Sequence, residues 1–209
     1  MPSTPLIEGP SFQSVLLRRM ICVVGLSVLA ITPGCGKPFN VKQQPDLPPA
    51  SYAAKASADG VGIQAQAITD EDFLYDTFDA NLIAAGVLPV RVMLTNPAEH
   101  AVDLQKARFE MRAPGHRFQQ AGARQAFKRL ISYYEITIYN KSGYTKSLDA
   151  FSAYALDLKL PLAAGQSRQG LVFFLTKSEP ALGTGLTLVV SGLSSNALPA
   201  RGAVELRLN

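Results

Sequence analysis

Residues 89–96 read PVRVMLTN, and their alternation decides the fold class. Val90, Val92 and Leu94 fall on one side of an extended chain and Arg91, Met93 and Thr95 on the other. That period of two belongs to a strand with one face in a core. Proline is tolerated as a strand's first residue, and Asn96-Pro97 closes the run with turn chemistry. The next apolar stretch, Asp103 to Met111 (DLQKARFEM), alternates in the same way, with Ala107, Phe109 and Met111 set against Arg108 and Glu110. The short connection predicts that the two strands pair antiparallel.

Working outward, the same pattern recurs at Val61–Ile68 (VGIQAQAI), Tyr154–Leu160, Gln169–Leu175 (QGLVFFL), Leu186–Ser191 (LTLVVS) and Ala203–Leu208 (AVELRL). Seven short strands separated by turn residues predict a mainly β fold: an antiparallel sandwich of two sheets, similar in architecture to an immunoglobulin-like domain. Tryptophan is absent, so no Cys-Trp-Cys signature accompanies the pattern and the resemblance is one of architecture.

Two segments break the strand period. DEDFLYDTF, from Asp70 to Phe78, reads as a short helix with an acidic first turn, and Thr69-x-x-Asp72 resembles a cap. The second is a helical insertion at about residues 113–152. Within AGARQAFKRLISYY, Ala123, Ala126, Phe127, Leu130, Ile131 and Tyr134 form one apolar stripe at helical spacing. The opposite face carries Arg124, Lys128 and Arg129. From Arg112 to Lys146 seven basic residues stand against one acid, Glu135, with tyrosines and phenylalanines interleaved. Two readings follow: a surface that holds anionic lipid headgroups or an acidic envelope polymer, or a solvated face on a helix that packs on the sheet.

The address of the chain depends on residues 31–40, ITPGCGKPFN. A phosphate loop would need a glycine five positions before Gly36-Lys37 and a hydroxyl residue after the lysine, and those positions hold Ile31 and Pro38. A metal or redox thiol would need companions, but Cys22 is the sole other cysteine, and His100 and His116 lie far along the chain. No cofactor is expected. An export signal fits the order of parts: Arg18 and Arg19, then the uncharged run MICVVGLSVLAI from Met20 to Ile31, then Thr32, Pro33 and Gly34 before Cys35. Twelve helical residues span about 18 Å, short of the roughly 30 Å of a bilayer's hydrocarbon.

With Gly34-Cys35 at its end, this segment resembles a bacterial lipoprotein signal peptide. The resemblance covers residues 1–35. It implies that the sulfur of Cys35 receives a diacylglyceryl group, that residues 1–34 are removed, and that the new amino terminus is acylated, with palmitate-like chains. More than one chain is what stable attachment requires. It further implies an envelope protein moored to a membrane, and Gly36 after the cysteine points to the periplasmic side of an outer membrane if the source is Gram-negative.

Residues 35–60, with Pro38, Pro45, Pro48 and Pro49, are expected to form a flexible tether. Residues 61–209 would form the folded domain. Losing residues 1–34 leaves 18 basic residues against 15 acidic ones, a charge of +3. So mild a balance argues against a dedicated nucleic-acid binder. No G-x-S-x-G is present, and Asp70, Glu71, Asp72, Asp76 and Asp79 lack calcium-loop spacing. The expected role is therefore not that of an enzyme but non-catalytic, binding or structural, with an envelope protein or anionic polymer as partner. Attachment through Arg124, Lys128 and Arg129 is the alternative, and a hydrolase with a carboxylate pair a distant third.

Overall fold

Pro89 to Thr95 of PVRVMLTN lie within β3 (Val87–Thr95), a strand of a mainly β, antiparallel chain. The computed structural model describes residues 37–42, 52–58, 60–176, 185–195 and 202–208. Its elements in chain order begin with β1 (Ala54–Ala58), β2 (Val61–Ala67), helix α1 (Glu71–Phe78) and β3. There follow β4 (Val102–Asp103), β5 (Arg108–Ala113), β6 (His116–Ala121), α2 (Ala123–Tyr133) and α3 (Lys141–Ser152). The last are β7 (Ser167–Leu175), β8 (Thr187–Ser191), β9 (Ser194–Ser195) and β10 (Val204–Arg207).

Eight strands make one sheet in the order β1-β2-β3-β7-β6-β5-β8-β10, and β4 pairs with β9 separately. The ends meet, since β10 lies alongside β1, so the sheet is nearly closed and barrel-like. The seven strands in two facing sheets that the pattern predicts are instead eight strands of one nearly closed sheet. The physical cause is β6, which pairs with β5 on one side and with β7 on the other and so joins what would have been two sheets. Its exposed residues His116, Arg117, Gln119 and Gln120 carry no apolar alternation, which is why the stretch reads as part of an insertion.

Opposed residues share a face, so the register identifies the interior. Ala65, Val92 and Gly170 stand in one row across β2, β3 and β7, and Ala67, Val90 and Val172 in the next. Met111, Leu188 and Leu206 form a row across β5, β8 and β10. Small residues on β1 and β2 let the curved sheet fill its own interior with side chains.

β3 does not pair with β5, as the short connection suggested, because both its edges are occupied by β2 and β7. Tyr154–Leu160 is not a strand either. Leaving α3, the chain makes one parallel bridge, Ala155 to Leu171, where the Leu156 N–H donates to the Leu171 carbonyl at 3.0 Å and the Leu171 N–H to the Tyr154 carbonyl at 2.7 Å. The cap of α1 is Asp70 and not Thr69: the Asp70 carboxylate accepts from the Phe73 N–H at 3.0 Å.

The flexible tether expected over residues 35–60 is folded in part. Phe39 and Tyr52 are buried, and Ala54–Ala58 is a sheet strand. A buried aromatic ring can hold the few residues beside it in place where composition alone suggests an open chain. At the far end of β3, the fully buried Asn96 donates to the carbonyls of His100, Leu162 and Ala163 and accepts from the Ala98 N–H, so this buried amide has partners for both its ends.

Candidate functional site

The helices pack as one layer over the outer flank of β7 and the Val87 end of β3. Phe151 of α3 stacks on Phe173 of β7 at 4.9 Å between centroids, and Phe127 of α2 lies 5.5 Å from Phe151. As expected, α2 turns Ala126, Phe127 and Leu130 inward and leaves Arg124, Lys128 and Arg129 on the outside. Asn140, which reads as a glycosylation sequon with Ser142, caps α3 by accepting from the Gly143 N–H.

Residues 37–42 cross this layer as a strap. The Phe39 ring meets Phe127 at 5.7 Å and Tyr134 at 5.8 Å, edge to face in both cases. Its carbonyl accepts from the buried Ser147 hydroxyl at 2.7 Å. The Lys42 N–H donates to the Thr77 carbonyl at 2.9 Å, and the Tyr154 hydroxyl donates to the Lys42 carbonyl at 3.1 Å. Asn40 N–H donates to the Asp79 carboxylate, and the Lys42 ammonium pairs with Asp76. The strap thus ties α1, α2 and α3 together, and sequence reading missed it. An isolated Phe39 among prolines carries no periodicity to reveal it.

The predicted basic face divides by role. Arg124 and Lys128 are exposed. Arg129 donates from Nε to the Ala85 carbonyl at 3.0 Å and so holds the turn before β3. Arg112, counted among the same basic residues, bonds to Glu110 and Glu205 instead. The acids of α1 are also used locally, Asp70 as cap and Asp76 and Asp79 by the strap. Among the described residues no group of three metal-ligating side chains converges, and no helix is long and apolar enough to cross a membrane. Cys35 lies outside the described residues.

One recess of about 310 Å³ opens between the end of β2 and α1, lined by residues 66–70 with Phe73 and Arg91. The Arg91 guanidinium sits 5.8 Å from the Phe73 ring centroid, and its buried Nε has no hydrogen-bond partner. Chemically this is a cation held against an aromatic face, able to meet a small carboxylate or phosphate.

Tyr134 links the strap to the turn before β3: the Asn81 N–H donates to its hydroxyl at 2.8 Å. Burial, above all, pushes its phenol up to about 12, opposed by the Asn81 bond and reinforced by the neighbouring Tyr75 hydroxyl. Burial also raises Tyr52 and Tyr154. A phenol with a raised folded-state value stabilises the fold fully below its unfolded value and loses that contribution as pH climbs through the folded one. For Tyr134 the window runs from 10.0 to about 12. Stability measured by urea unfolding should therefore fall across that window, and Tyr134→Phe should make the fall shallower without abolishing it.

No family model, curated protein or solved structure matches the chain.

Proposed function

We propose that the chain is a cell-envelope lipoprotein, acylated on Cys35, whose folded body serves a non-catalytic binding or structural role at the membrane surface. The order of parts ahead of Cys35 supports the acylation. The observation that carries the functional reading is the strap. Phe39 is buried only four residues after Cys35. Four residues of fully extended chain reach about 14 Å at most. A lipid on Cys35 would hold the body close to the leaflet by its helical side. The folded residues 37–42 stand within the stretch that the prolines suggested was a long tether.

A second reading is attachment to anionic lipid or polymer through charge, favoured by the exposure of Arg124 and Lys128 on one face of α2. One experiment separates the two. In cells fed an alkyne-labelled palmitate, the protein should take up label and fractionate with membranes. Cys35→Ala should abolish the label and release the protein to the soluble fraction. Retention through charge alone would survive Cys35→Ala and be released at about 1 M salt, where the screening length falls to about 3 Å. Such a result would sink the lipid anchor.

A further inference from the structure

We infer that the corner between α2 and α3, with Ile138 at its tip, inserts into the lipid leaflet beside the strap and fixes the orientation of the body on the membrane. The placement of this corner beside the anchor rests on the acylation of Cys35 proposed above. Ile138 is 91% exposed, more than any other large apolar side chain among the described residues. Alone such a residue would call for no covering surface, but Tyr139 follows it in the chain and Tyr133 and Tyr75 are exposed as well.

The side chains around it have the character of a membrane interface. Tyr75, Tyr133 and Tyr139 are the other exposed aromatics of this region, between 39% and 51% accessible. All connect to the strap through ring contacts or hydroxyls. Phe39 meets Tyr134, which lies 5.0 Å from Tyr133 and has the Tyr75 hydroxyl as a neighbour. Phe39 also meets Phe127, which lies 5.5 Å from Tyr144, itself stacked on Tyr139 at 5.2 Å. The exposed tyrosines and the strap therefore belong to one aromatic cluster.

Tyrosine rings favour the headgroup level, where the ring is shielded and the hydroxyl stays wet. Lys128 and Lys141, both exposed, can extend their ammonium groups to lipid phosphates. The acids of α1 nearest the strap, Asp76 and Asp79, are engaged by Lys42 and Asn40, and Glu135, the one acid of the corner, is exposed and would stay in the wet headgroup layer. The occupant is thus a phospholipid leaflet. Ile138 would reach about 5–10 Å into the headgroup and acyl boundary, the depth usual for interfacial apolar faces.

Among the described residues one other large aliphatic side chain is strongly exposed, Leu160 at 61%. It belongs to the opposite end of the sheet: its carbonyl accepts from Arg168, which pairs with Leu94, whereas Tyr134 binds Asn81 beyond the Val87 end. The nine residues of β3 separate the two ends by about 26 Å at about 3.3 Å per residue. Leu160 is the internal control.

The chain contains no tryptophan, so a single introduced indole reports its own surroundings. The full chain, purified from membranes, is reconstituted on vesicles of phosphatidylethanolamine and phosphatidylglycerol as Ile138→Trp or as Leu160→Trp. The indole of Ile138→Trp should emit to the blue and be quenched by lipids brominated high in the acyl chain. That of Leu160→Trp should emit as in water and escape quenching. Equal, water-like emission from both variants overturns the inference. Intact mass judges the anchor separately: a free thiol on Cys35 defeats the acylation, while the indole still decides whether the corner enters the leaflet.

Discussion

Gly170→Ala is expected to destabilise the protein by about 3 kcal/mol, at the top of the usual range for a methyl forced into a packed site. A Cβ at position 170 would stand 2.5 Å from the Leu156 Cα and 2.6 Å from the Leu156 nitrogen. These are backbone atoms, so no rotamer relieves the contact. The segment they belong to is held to β7 by the bonds of Leu171 with Tyr154 and Leu156, at 2.7 and 3.0 Å, so the methyl must part α3's exit from the sheet or bend β7 itself. Urea unfolding monitored by circular dichroism measures the loss. Gly62→Ala is the control: its added methyl would meet Thr95 Cβ at an ordinary 3.6 Å and should change little.

Phe39→Ala ranks beside it. Truncating a buried phenylalanine costs about 3–5 kcal/mol when the surroundings cannot collapse, and here the ring is 4% exposed between Phe127 and Tyr134. Because the strap is a peripheral segment, part of the loss should appear as its release. The Lys42 N–H, protected by the Thr77 carbonyl, would then exchange with solvent deuterium far faster than amides of β3. Undiminished protection of Lys42 together with an unchanged urea midpoint would mean that the strap contributes nothing to the fold.

The fold was legible where burial is one-sided. Val90, Val92 and Leu94 are buried as their alternation required, and so are Phe109 and Met111 of β5. The apolar stripe of α2 was equally plain, because three of its members are fully buried against a sheet that gives the helix a single inward face. What failed was neighbourhood. A strand's alternation says that it has a buried face but not whose edges it will share, and β3 took β2 and β7 as partners at long range.

β1 left a signal that was passed over. The sequence Asp59-Gly60 is of the kind that two-residue hairpins favour, and Gly60 has the positive φ of 82° that such turns need. Alanine is a poor strand former, so AKASA before it does not look like a strand. Ala54 and Ala58 are nonetheless buried in the core. β6 left no signal at all, its side chains being almost wholly polar and exposed.

The candidate surface was half legible. Charge counting found Arg124, Lys128 and Arg129, yet the fold employs Arg129 on the Ala85 carbonyl. Ile138 could not be singled out in advance, because ITIYN alternates like any strand. Only the packing of the corner turns Ile136 partly inward and leaves Ile138 outside.

The meeting of β1 with β10 restricts how another polypeptide could be recruited. In an open sheet each outermost strand offers a row of amides and carbonyls to which a guest can dock by main-chain bonding. Here those two rims stand against each other. A guest segment would have to wedge that seam apart before it could be zipped in there.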